Sequence, residues 1–308
     1  MERSQAVATS GSLAARAVAE LLGTFLLVFL GCGAVHAAVL TEAQSGVWQV
    51  AIVWGVGVAL AGYTCGGISG AHINPAITVT LAACGRSRWG DVPAYVLAQL
   101  AGAVLAAAGL WGIFQGPLQK KEQEKGVVRG QPGSVVTAMC YGEYFPNPAP
   151  LAASEAVPRG SALEEALKER EGLLSTRGAF AAEAIATGIL ALVVLGITDG
   201  RNRGSPGGHL SPLVAGLTVA SLISVIGPLT QACLNPARDL GPRLFAYLAG
   251  WGSVALPGPR GHAWFTVYIA APCVGALIGG LSYGVLLGRG HASLEVSGTR
   301  AGRAADTP

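Results

Sequence analysis

Six stretches of the chain stay apolar long enough to cross a bilayer: about Leu13 to Leu40, Trp48 to Thr64, Val92 to Phe114, Gly178 to Thr198, Leu210 to Leu229 and Trp264 to Gly288. A hydrocarbon core demands roughly 20 such residues of a helix. The short charged loops between them suit no soluble core. The predicted fold class is an all-α membrane protein with six transmembrane helices. The first stretch is too long, and too closely followed by others, to read as a cleaved signal peptide, so it is expected to be retained.

Two segments break this pattern with residues that a lipid-facing helix does not keep: "SGAHINPAIT" from Ser69 and "QACLNPARDLG" from Gln231. Backbone that leaves helical geometry at membrane depth is tolerated only where it is buried in protein or lines a watery cavity. In each segment Asn is suited to cap a helix and Pro to occupy its first position, where the missing N–H costs nothing. A half-helix is therefore predicted to start at Pro75 and another at Pro236, each followed by alanine, Ala76 and Ala237.

The chain also contains itself twice. "AVAELLGTFLLVFLG" and "AFAAEAIATGILALVVLG" both carry Glu followed one turn later by Thr, Glu20 with Thr24 and Glu183 with Thr187. Each half closes on a glycine-rich span, "QLAGAVLAAAG" and "PCVGALIGGLSYG". Three spans per half is an odd number, so the second half enters the membrane from the opposite side and the repeat is inverted. Such repeats bring equivalent broken segments together near the bilayer midplane. The glycines four apart (Gly62 and Gly66, Gly275 and Gly279, Gly280 and Gly284) read as packing surface.

If the half-helices meet N-terminus to N-terminus, each brings roughly half a positive charge, and the amides of Asn74 and Asn235 add donors. An extended backbone before each cap would aim the carbonyls of Gly70, Ala71, His72 and Ile73, and of Gln231, Ala232, Cys233 and Leu234, at the same space. The opposite wall is Val, Leu and Ile. Such a corridor suits an uncharged hydroxyl compound and repels a cation, and it does not replace an ion's hydration shell.

Charge sets the orientation. Arg3, Arg16, Arg86, Arg88, Arg201, Arg203, Arg289, Arg300 and Arg303 fall on one face, which places both termini in the cytoplasm of a plasma or inner membrane. The net charge of +3 thus reports orientation. No basic run with interleaved aromatics points to nucleic acid, and the six cysteines lack metal-ligand spacing, so no metal or cofactor is expected. Within residues 115–177, "QKKEQEKGVVRGQPG" reads as a solvated charge run and "YFPNPAPLAASEAVPRG" as Pro-rich coil. "SALEEALKEREGLL" reads as a short surface helix over the outer mouth, capped by Ser161 with Glu164 as its capping-box partner. A tolerated insertion without a role is the competing reading.

With two Asn-Pro-Ala copies, paired glutamates and matching spacing, the sequence resembles the aquaporin, or major intrinsic protein, family from about Ala15 to Arg289. Asp239, directly after Arg238, and "RDLGPRLFAYLAGWG" are similar to its glycerol-conducting branch. The resemblance implies six helices in a right-handed bundle, two re-entrant half-helices, one pore per subunit and a homotetramer. It also implies an outer filter formed by Trp54, Ile223, Ala232 and Arg238, with Ile and Ala where bacterial glycerol facilitators carry Gly and Phe. That combination is similar to nodulin-26-like channels. The implied organisation is a tail at 1–12, a channel domain at 13–288 (repeat 1 at 13–114, loop insertion at 115–177, repeat 2 at 178–288) and a tail at 289–308.

The expected function is a passive channel for glycerol and other small uncharged solutes, among them water, urea and metalloid hydroxides, with no enzymatic step. A secondary transporter coupled through Glu20 and Glu183 is the alternative, and a non-conducting junction or adhesion protein a third. Both glutamates are expected to brace their own broken loops rather than relay protons. Asp239 is expected to accept backbone N–H bonds, and His72 to support its loop rather than act as a pH gate. Arg238 needs a water-filled mouth, because a charge in lipid is expensive. Trp54 reads as an interfacial anchor on its own and as a filter wall through the resemblance.

Overall fold

The computed structural model describes residues 11–153, 159–288 and 290. The tails expected at 1–12 and 289–308 fall almost wholly outside the described residues, except that Ser12 caps the first helix by accepting from the amide of Ala15.

Among the described residues, six long apolar helices form the bundle: α1 (Leu13–Thr41), α2 (Gly46–Ser69), α4 (Val92–Lys125), α6 (Thr176–Ile197), α7 (Ser211–Thr230) and α9 (Ala263–Gly288). Two short helices begin at the prolines, α3 (Pro75–Ala83) and α8 (Pro236–Ala246), and a further helix, α5 (Ser161–Glu171), lies in the long loop. The architecture is all-helical, with six spans, two re-entrant half-helices and an inverted repeat. α1 packs on α2 and α4, α6 packs on α7 and α9, and α2 meets α7 between the halves.

Glycine sets how closely these helices approach. A Cβ at Gly102 of α4 would collide with the Leu21 carbonyl of α1, and one at Gly275 of α9 with the Ala184 carbonyl of α6. The two contacts are equivalent, since Leu21 and Ala184 directly follow the paired glutamates. Gly55 and Gly216 face each other where α2 crosses α7, and neither has room for a methyl group. Of the glycines read as packing surface, Gly62, Gly275, Gly279 and Gly280 are tightly packed. Gly284 meets nothing and Gly66 only loosely touches Ala71.

The structure corrects the reading of residues 115–177 in three places, the first a short helix at Ala149–Ala153 within the stretch read as coil. "QKKEQEK" is helix, because α4 continues past a kink at Phe114 to Lys125. Pro117 accounts for the kink, since its ring excludes the carbonyl one turn back. The run is solvated on one face only: Gln119, Lys120 and Gln123 are exposed, whereas Lys121 and Lys125 are buried and Lys121 pairs with Glu42 at 3.1 Å. Ser161 is not a cap, because Gly160 in the left-handed region holds that position and accepts from the amide of Leu163 with its carbonyl. The predicted helix exists without its capping box, held by Leu163, which is buried among Val135, Val136 and Leu118.

Candidate functional site

Each half builds the same brace. In the first, Glu20 accepts from Ser69 Oγ at 2.6 Å, the amide of His72 at 2.8 Å and the amide of Ile73 at 2.7 Å. In the second, Glu183 accepts from Thr230 Oγ1 at 2.6 Å and from the amides of Cys233 and Leu234, both at 2.9 Å. Tyr95 and Tyr268 donate to the carbonyls of Ser69 and Thr230 in turn. The symmetry breaks one turn further on: Gln99 adds a fourth bond to Glu20, at 2.7 Å, where the second half has Pro272. Both carboxylates are thus spent on loop backbone, which leaves a proton relay through them without support.

The braced loops are not extended, contrary to the sequence expectation. Gly70, Ala71 and Ile73 have positive φ, as do Gln231, Ala232 and Leu234. At Ile73, whose φ is 44°, the branched side chain makes this conformation costly. The brace supplies compensation at Ile73 and Leu234, whose amides reach the glutamates, while the amides of Ala71 and Ala232 are held by Ser69 Oγ and Thr230 Oγ1, hydroxyls bonded to those same glutamates. Turning the chain this way sends successive peptide groups to different partners, N–H toward the carboxylate and C=O away from it.

Where the half-helices meet, Asn74 caps α3 by accepting from the amides of Ala76 and Ile77, and Asn235 caps α8 by accepting from those of Ala237 and Arg238. Each asparagine then donates across the repeat, Asn74 Nδ2 to the Leu234 carbonyl and Asn235 Nδ2 to the Ile73 carbonyl, both at 2.8 Å. The carbonyls of Ile73 and Leu234 are therefore engaged by asparagine and are not wholly free acceptors, and each amide retains a second N–H.

A cavity of about 740 Å³ runs through this meeting point. It begins at the loop joining α6 to α7, passes Gly70 to Asn74 and Ala232 to Asn235, and reaches Trp54, Ile223, Ala232 and Arg238. Of the sequence-singled carbonyl residues, Gly70, Ala71, His72, Ile73, Cys233 and Leu234 line it. Gln231 does not, since its side chain bonds the amide of Tyr144 and the carbonyl of Met139 instead. The opposing wall is Leu27, Val58, Ile77, Leu190, Val194 and Val219. At the other end, against residues 141–143, the Arg238 guanidinium lies over the Trp54 ring, 4.2 Å from its centroid, and donates to the Tyr141 carbonyl at 3.2 Å.

Sequence reasoning missed the loop residues that complete this end. Glu143, fully buried, abuts Arg238 with its carboxyl, while its own amide donates to Asp239 Oδ1. Asp239 thus does accept a backbone N–H, but from the long loop rather than from its own half-helix. Its other oxygen accepts from Arg243 Nε at 2.7 Å. The segment read as coil or idle insertion is built into the site, and its one legible signal was aromatic density at Tyr141, Tyr144 and Phe145. Burial pushes the Glu143 carboxyl from 4.5 up to about 8, against the pull of Arg238. His72 stacks near Tyr95, with centroids 4.9 Å apart.

The family model described as "Major intrinsic protein" matches residues 7–283. The chain belongs to the major intrinsic protein family. Within it, the chain is 39% identical over 282 residues to a glycerol uptake facilitator protein of Pseudomonas aeruginosa, covering 92% of each chain. It is equally identical to the glycerol uptake facilitator protein of Escherichia coli K12, over 91% of this chain and 90% of that one. Human aquaporin-9 is 37% identical, over 91% of this chain and 84% of its own length. Among solved structures, the aquaglyceroporin from Plasmodium falciparum superposes with a TM-score of 0.71 at 27% identity, covering 90% of this chain and 97% of that one.

Proposed function

We propose that the protein is a passive membrane channel for glycerol and other small uncharged solutes, with Trp54, Ile223, Ala232 and Arg238 as its selectivity filter and the two Asn-Pro-Ala segments as its midpoint. The observation that carries this reading is the meeting of two half-helix N-termini across one continuous cavity, both capped by asparagines with amide hydrogens to spare. Positive helix ends disfavour cations, while amide donors and loop carbonyls match hydroxyl groups. The glycerol facilitators among its relatives support the same solute class. Ile223 and Ala232 in place of Gly and Phe keep water, urea and metalloid hydroxides within the proposal.

The same reading has both termini in the cytoplasm, supported by Arg16, Arg86, Arg88, Arg201 and Arg203 at one end of the bundle. Four copies are proposed to assemble, each with its own pore. Purified protein in proteoliposomes tests the function by light scattering against a panel of glycerol, urea, water and boric acid. Glycerol flux should rise linearly with its gradient and ignore imposed proton or sodium gradients. Saturating flux that tracks either ion gradient would refute the channel.

A further inference from the structure

A second cavity, of about 370 Å³, lies behind the filter arginine. It shares no lining residue with the main corridor, and the contact between Arg238 and Glu143 is the partition: Arg238 lines one space and Glu143 the other. Its roof is α5, through Glu164 and Leu167, and its floor is Tyr144, Trp264 and Tyr268, gathered around the Arg243 guanidinium at 4.7, 5.9 and 5.5 Å from their centroids. The volume falls within the range of small-molecule sites, roughly 300 to 1,000 Å³.

The arginines around the cavity are largely engaged by protein groups, while Glu164, Lys168 and Glu171 complete its charged lining. Arg243 bonds Asp239 and the carbonyls of Ala255 and Glu143. Arg260 donates to the carbonyls of Glu171 and Leu174, and Arg170 to that of Asn147. Among the described residues, the lining keeps two buried donors without a hydrogen bond, Arg170 Nε and Arg260 Nε, and one acceptor group, the fully buried Glu143 carboxyl, whose Oε1 meets Arg238 and whose Oε2 accepts no hydrogen bond. A fully buried polar atom without a partner is costly. An aromatic floor beside a carboxyl in want of a partner is the chemistry that holds a carbon chain bearing hydroxyls. A hydroxyl both donates and accepts, so it satisfies this carboxyl whether or not it is protonated.

We propose that this side chamber binds a neutral polyhydroxy compound of sugar-alcohol or monosaccharide size through Glu143 and the Tyr144, Trp264 and Tyr268 floor, distinct from the solute in the pore. A ligand hydroxyl donating to Oε2 shares the charge of the carboxyl that Arg238 meets through Oε1, and so weakens the Arg238 contact. Occupancy therefore loosens the guanidinium from the wall and lowers flux through the corridor. The coupling, though not the binding, rests on the channel reading above.

The test uses the full chain in lipid nanodiscs free of sugar detergents, with radiolabelled sorbitol in equilibrium dialysis. Saturable binding is expected in the wild type, to be abolished by Leu167→Trp, which fills the chamber from α5, and retained by Leu173→Trp, an exposed position outside the lining. Glu143→Gln should weaken binding by about tenfold, the loss expected for a hydrogen bond to a charged or strongly polar group. In proteoliposomes, sorbitol at equal concentration on both sides should lower glycerol flux at least about twofold against KCl of equal osmolality, and Leu167→Trp should conduct glycerol but ignore sorbitol. Absence of saturable binding, or binding unchanged by Leu167→Trp, overturns the site. Binding that leaves flux untouched overturns the coupling, and because binding is read without transport it stands apart from any failure of the channel reading.

Discussion

The Arg238 guanidinium carbon lies over the Trp54 ring, 4.2 Å from its centroid, with Ala232 and Ile223 lining the same stretch of cavity. The pair offers hydrogen-bond donors beside an apolar ring. Filling the space beside them tests the assignment. Ala232→Trp is expected to cut glycerol permeability by about tenfold, equivalent to about 1.4 kcal/mol on the barrier, and to spare water more than glycerol. Stopped-flow swelling on both solutes reads the outcome. Unchanged permeability in both would remove Ala232 from the filter.

Glu20→Gln and Glu183→Gln each replace a double acceptor by a group with one oxygen and one NH₂, which turns an N–H toward an N–H. Loss of a buried charged-group hydrogen bond costs about 1.5 to 3 kcal/mol, so both variants should melt earlier and conduct less. Glu20 serves four donors and Glu183 three. Glu20→Gln should therefore be the more damaging, as measured by the unfolding midpoint in a fixed detergent. Equal or negligible shifts would contradict the bracing role.

Gly275→Ala places a methyl group against the Ala184 carbonyl where α9 crosses α6. Overpacking of this kind costs about 1 to 3 kcal/mol, and the helices must separate beside the Glu183 brace. Lower thermal stability with reduced flux is expected. Gly284→Ala, where nothing lies within 4 Å, serves as the silent control.

The Glu143 carboxyl sits at about 8 in the folded protein against an ordinary 4.5, because burial disfavours its charged form. The folded state therefore holds this proton at pH values where the unfolded chain has released it. The stabilising contribution is complete below about pH 4.5 and is lost as pH rises through about 8. The melting temperature of the wild type should fall between those limits, and Glu143→Gln should flatten the fall. Parallel profiles for the two proteins would place the titration elsewhere.

Most of the fold was legible because membranes enforce simple rules. Span length, the broken Asn-Pro pairs and the Glu20/Glu183 equivalence each have one cheap physical explanation, and the half-helices start at the prolines that announced them. What escaped reading depends on contacts distant in sequence. Nothing in "YGEY" says that Glu143 will reach Arg238, nearly a hundred residues away, and hydropathy alone makes "QKKEQEK" look solvated when Glu42 awaits Lys121. The left-handed loop residues were hidden for a different reason. Ala, Ile and Leu seldom adopt that conformation unaided, and here Ile73 and Leu234 are held by glutamates of another helix, Ala71 and Ala232 by the Ser69 and Thr230 hydroxyls.

The exchanged bonds of Asn74 and Asn235 have a consequence for biogenesis. When the first three spans have left the ribosome, the carbonyl that will receive the Asn74 amide, that of Leu234, has not yet been synthesised. An early intermediate therefore holds an unfinished centre until the second half arrives. Neither half made alone would complete its own aperture, whereas two fragments split within residues 115–177 and produced together could clasp one another and recover it.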